Sequence, residues 1–86
     1  MSQAEKLKKR FLSTPIPKNF RWEELVRLME NLGFAIESGS GSARRFVSRE
    51  RPELVLFIHQ PHPQATLKEY QIRQIRQTLR ENGILQ

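Results

Sequence analysis

His59 and His62 stand three positions apart around Gln60 and Pro61, and they are the side chains of this sequence best suited to moving a proton near neutral pH. An imidazole with its ordinary pKa of about 6.5 keeps both protonation states available, so a pair of them can supply a base and an acid. The cations such chemistry needs around a phosphate are also present. Arg44 and Arg45 follow a glycine-serine turn, and Lys68 and Arg73 lie just beyond the histidine segment. Because neighbouring strand residues point to opposite faces, only one of Arg44 and Arg45 can serve a given site. The same two histidines also suit a purely structural role, with a hydrogen-bonded imidazole bracing a proline-bounded turn. Zinc is not expected, since tetrahedral sites take three or four protein ligands and the sequence has no cysteine. Nucleotide hydrolysis has no support, because the Gly39 to Ser42 turn lacks the Gly-Lys-Ser/Thr ending of a phosphate-binding loop. No cofactor is expected.

The elements that must position these groups follow from periodicity. From Trp22, apolar residues recur at Leu25, Val26, Met29 and Leu32, the spacing of an amphipathic helix over about residues 21–32, and Gly33 ends it. Phe34 to Glu37 reads as a short strand, Ser38 to Ser42 as a small-residue turn, and Arg44 to Ser48 as a second strand. Leu54-Val55-Leu56-Phe57-Ile58 is a third strand, whose unbroken apolar run implies burial on both faces or one face kept for a partner. Leu54, Leu56 and Ile58 share one side, and Val55 and Phe57 the other. Thr66 and Glu69 form a T-x-x-E capping box that predicts the start of the last helix. Ile72, Ile75 and Leu79 make its core stripe, with Arg73, Arg76 and Arg80 on an adjoining face as either a phosphate-binding stripe or a solvated one. Gly83 ends that helix, and Ile84 and Leu85 fold back on the core.

The fold class is therefore α+β, in the order α-β-β-β-α, with two helices on one face of a three-stranded antiparallel sheet. Residues 1–18 form a basic N-terminal arm, a short helix or a tail broken by Pro15 and Pro17, and residues 19–86 form one domain. Eighty-six residues leave room for one compact core and one site. A net charge of +6, with arginine predominating, favours a polyanionic partner, since guanidinium groups fork onto phosphate oxygens. No run approaches the roughly 18 apolar residues of a membrane span, and a cytosolic location is expected.

Three segments together carry a resemblance. Lys18 to Trp22 with the helix through Phe34, the turn and strand Gly41 to Phe46, and Leu67 to Gln74 occur in the order and spacing of HicA-type toxins. Those proteins are small ribonuclease partners of HicB-type antitoxins, with a fold like that of double-stranded RNA-binding domains. The resemblance spans residues 18–85. It implies RNA as ligand, a HicB-like antitoxin as protein partner and cleavage of mRNA, and it points to His62 ahead of His59 as the strand-end catalytic histidine. With RNA as ligand, the cations named above, Arg44 or Arg45 with Lys68 and Arg73, become the candidate RNA-binding residues, joined by Arg76 and Arg80 if the helical stripe binds phosphate rather than only meeting solvent. One departure stands out: the family pattern has a histidine directly after the Gly-Ser of the turn, and this chain has Ala43.

Two functions from different classes follow. One is a metal-independent endoribonuclease silenced by an antitoxin, favoured by the two histidines. The other is a noncatalytic RNA-binding module, favoured by Ala43, whose methyl group cannot transfer a proton. In either case Val55 and Phe57 leave an uncovered sheet face, to be covered by an antitoxin or by a second copy of the chain.

Overall fold

The computed structural model describes residues 2–62 and 66–85. Three helices and three strands follow in the order α1 (Gln3–Phe11), α2 (Trp22–Asn31), β1 (Phe34–Ser38), β2 (Ala43–Ser48), β3 (Val55–His59) and α3 (Glu69–Glu81). The strands form one antiparallel meander with β2 in the middle. From α2 to α3 this is the expected α+β arrangement.

Alternation along the strands separates two faces. Phe34, Phe46, Leu56 and Ile58 point inward and are buried, and they pack with Leu25, Leu28 and Met29 of α2 and Ile72, Ile75 and Leu79 of α3. Register fixes the partition, with Phe46 opposite Ile36 on one side and Leu56 on the other. On the opposite face, carrying Ala35, Glu37, Arg45, Val47, Val55, Phe57 and His59, no helix lies among the described residues. Phe57 is 73% exposed there. The apolar run of β3 thus reflects an uncovered face rather than burial on both sides.

The arm of residues 1–18 contains a helix, and it is not a loose one. Ser2 caps α1 by accepting a hydrogen bond from the Glu5 amide. Leu7 and Phe11, at i and i+4, belong to the same buried core as the other helices. The Phe11 ring meets Phe20 edge-on at a centroid distance of 5.3 Å.

The start of α3 differs from the expected capping box. The Thr66 hydroxyl donates to the Lys18 carbonyl instead, and the Leu67 amide donates to the Phe20 carbonyl, so this segment is drawn against residues 18–20. Helix α3 begins three residues later, with Lys68 as N-cap and the Gln71 side chain accepting from the Lys68 amide. Tertiary pairing of Thr66 outweighed the local preference. At the other end Gly83 has φ +72°, the Ile84 amide donates to the Leu79 carbonyl, and Leu85 is buried as expected.

Candidate functional site

The Gly-Ser turn and the end of β3 meet at one end of the sheet. Gly41, at φ +56°, takes the left-handed conformation that lets the chain reverse between β1 and β2. The Gln60 amide donates to the Ser42 carbonyl at 2.8 Å and holds the turn beside the segment that carries both histidines. Gln71, only 5% exposed, fixes the same end from beneath. Its Nε2 donates to the His59 carbonyl and its Oε1 accepts from the Lys68 amide, both at 3.0 Å. One buried amide thus ties the last residue of β3 to the N-cap of α3, where unpaired backbone N–H groups favour an anion.

An open cleft of about 480 Å³ lies between these segments, lined by Gly41, Ser42, Arg44, Gln60, Pro61 and His62. Arg44 curls over the turn and donates to the carbonyls of Gly41 and Ala43 at 2.8 Å each. His62 is exposed at the rim. His59 lies on the outer sheet face, where its Nδ1 is 3.3 Å from the Ser42 hydroxyl. Its cross-strand partner is Ala43. Pairs of this kind, between the hydrogen-bonded rungs, bring backbones and side chains closer than bonded pairs do, so Ala43 stands directly opposite His59 on the outer face. The two histidines therefore serve different surfaces, His62 the cleft and His59 the open face.

The cations divide in the same way. Arg45 points to the outer face, bonded to Glu37 at 2.8 Å and opposite Phe57 across β3, while Arg44 turns to the cleft. Val55 is half-buried beside Phe57. Lys68 is exposed at the α3 N-terminus, and Arg73 pairs with Glu69 one turn earlier at 3.1 Å. Arg73, Arg76 and Arg80 line a second hollow of about 420 Å³ together with Ile16, Gln77 and Glu81, so the three arginines share one surface, with one carboxylate at its end. Within it Arg76 has a different role from its neighbours. Its guanidinium donates to the carbonyls of Phe11 and Ser13, joining α3 to the end of α1. Burial first, then the charges of Arg80 and Arg73, lower its pKa, though a guanidinium remains protonated. Arg80 is exposed and makes no salt bridge among the described residues.

Ser42 and Gln71 were not singled out by sequence reasoning. A polar residue on the core stripe, as Gln71 is between the buried Leu67 and Ile75, is the signal that could have found one of them. Ser42 has no such signal, because its contact with His59 depends on strand register. Among the described residues no three His, Cys, Asp or Glu side chains gather as a metal site would require.

The family profile described as the HicA toxin of bacterial toxin-antitoxin systems matches residues 22–84. That segment starts at α2 and runs past the end of α3, so α1 lies before it. No curated protein and no solved structure matches the chain. With the profile covering most of the sequence and every element that builds the cleft, the chain belongs to the HicA family of toxins of bacterial toxin-antitoxin systems.

Proposed function

We propose that this chain is an RNA-binding toxin that grips the phosphate backbone at the sheet end and along α3, and that its histidines cleave the bound strand without a metal. The observation that carries this reading is the convergence of Arg44, His62 and the Gly-Ser turn on one cleft, with His59 on the adjoining outer face, 3.3 Å from the Ser42 hydroxyl of the same turn. A base takes the 2′-hydroxyl proton, that oxygen attacks the adjacent phosphorus, and an acid protonates the departing 5′ oxygen. His62 is placed first for this role and His59 second. Lys68, Arg73 and Arg80 extend the cationic surface along α3, and Arg45 adds a charge on the outer face. A HicB-like antitoxin is the partner that silences the protein, covering Val55 and Phe57.

A second reading, a noncatalytic RNA-binding module, is favoured by Ala43, which leaves no imidazole beside His59 across the strand pair. The discriminating experiment is incubation of purified protein with RNA in the presence of EDTA. Cleavage that is lost in His62→Ala supports the toxin reading. Binding without cleavage, joined by a gain of cleavage in Ala43→His, supports the module.

A further inference from the structure

Strand β3 is an edge strand, and the direction of its backbone groups follows from its register with β2. The Gln60 amide bonds to the Ser42 carbonyl, and the Ser48 amide bonds to the Leu54 carbonyl. In an antiparallel ladder, bonded positions alternate, so Leu56 and Ile58 direct their N–H and C=O groups to β2. Val55, Phe57 and His59 direct theirs away from the sheet. Among the described residues only the His59 carbonyl meets a partner there, the Gln71 side chain.

This edge lacks the usual protections. Residues 55–59 contain no lysine, no proline and no formal charge on any side chain unless His59 is protonated. Beside the strand runs a groove of about 380 Å³, formed by β3 and the Gln74, Gln77, Thr78 and Glu81 side of α3. A chain of net charge +6 repels copies of itself over most of its surface, yet along this groove its only ionic side chain is Glu81.

We infer that the β3 edge pairs antiparallel with the β3 edge of a second copy of this chain, about a two-fold axis through Phe57. The sequence is self-complementary in that register. Phe57 faces Phe57 of the second copy, Val55 faces His59, and the outward amides of Val55, Phe57 and His59 meet outward carbonyls, that of His59 accepting through its second lone pair beside the bond from Gln71. All three residues point backbone groups outward, so the two-fold places bonded positions opposite one another. The two Phe57 rings then stand side by side on the uncovered face, a cross-strand aromatic pair that removes apolar surface from water. A closed two-fold pairing uses up the β3 edge of both copies, whereas a head-to-tail pairing of β3 with β1 would leave one β3 edge free. Pairing through the edge leaves the outer face open, so it is compatible with a protein partner lying over both copies of Phe57.

Analytical ultracentrifugation of the full chain over a wide concentration range tests this, with a monomer-dimer equilibrium expected. The sequence has no cysteine, so Phe57→Cys places a single thiol at the two-fold axis. Under mild oxidation it should yield a disulfide-linked dimer, whereas Arg45→Cys, one strand inward, should not. Phe57→Pro removes an N–H that β2 does not use and should give a folded monomer. If circular dichroism shows that proline unfolds the sheet, Phe57→Lys takes its place, with dimerisation weakened roughly tenfold by like charges at the axis and loss of the ring pair. A wild-type chain that stays monomeric, a dimer unchanged in the folded Phe57 variants, or equal crosslinking through Arg45→Cys overturns the inference.

Discussion

The guanidinium of Arg76 on α3 is bonded to the carbonyl of Phe11, the last residue of α1, with Nε at 2.9 Å, and it lies 5.9 Å from the centroid of the Phe11 ring. Its Nη2 also donates to the Phe11 carbonyl, and to the Ser13 carbonyl at 2.8 Å. A side chain from the basic stripe thus closes the open C-terminal end of α1, where helix carbonyls lack partners and a cation is favoured. Arg76→Ala should lower stability by about 1–2 kcal/mol, through loss of hydrogen bonds to a charged donor. Denaturant unfolding measures that loss, and hydrogen exchange should place it in α1 and the following turn.

Neutralising Arg73 and Arg80 together is the cleaner probe of RNA binding, because neither holds α1. If both contact phosphates, the slope of log affinity against log salt should fall by about 1.4–1.8 in magnitude. An unchanged slope would make the stripe a solvated face.

Acid should loosen the α1–α2 contact through Glu24. Burial raises its pKa, but the hydrogen bond from Arg10, the bond from the Arg21 amide and the charges of both arginines outweigh burial and hold the carboxyl below its ordinary value. A carboxyl depressed in the folded state contributes stability above the unfolded pKa, and that contribution is lost as pH falls through the folded one. Unfolding free energy should therefore drop between about pH 5 and 3, the window starting from the usual glutamate range. Glu24→Gln should be less stable at neutral pH and show a shallower decline in acid.

Phe57→Asp should leave folding stability within about 0.5 kcal/mol, since the ring is mostly exposed. Complex formation with a cognate antitoxin, followed by calorimetry, should be lost. Full-strength binding by this variant would place the antitoxin elsewhere.

The histidine variants separate two surfaces as well as two functions. His62→Ala should reduce metal-independent cleavage by about 10²- to 10⁴-fold with RNA affinity nearly unchanged, because a base acts in the transition state. His59→Ala should cost less if the imidazole only braces the Ser42 turn. A larger loss in His59→Ala than in His62→Ala would shift the chemistry to the outer face, beside Ala43.

Periodicity by itself was enough for the middle of the fold. Leu25, Met29, Ile72, Ile75 and Leu79 bury where helical spacing puts them, and strand alternation sends Leu56 and Ile58 inward and Phe57 outward. Such patterns are local: one apolar stripe against one polar stripe decides which side of an element leaves water. Positions set by groups distant in sequence were decided by tertiary structure. Thr66 fits a capping box locally, yet its hydroxyl is bound 48 residues away at Lys18. Arg76 reads as one member of a cationic stripe, yet it reaches 65 residues back to Phe11, because the docking of Leu7 and Phe11 brings that carbonyl within its range. His59 and His62 read as one pair, yet strand register sends His59 to the outer face with Ala43, and the chain beyond β3 carries His62 into the cleft. Composition and spacing specify which groups a chain holds and which face of an element is apolar. Their partners depend on long-range packing, because a hydrogen bond requires the approach of two particular groups and no local pattern encodes that approach.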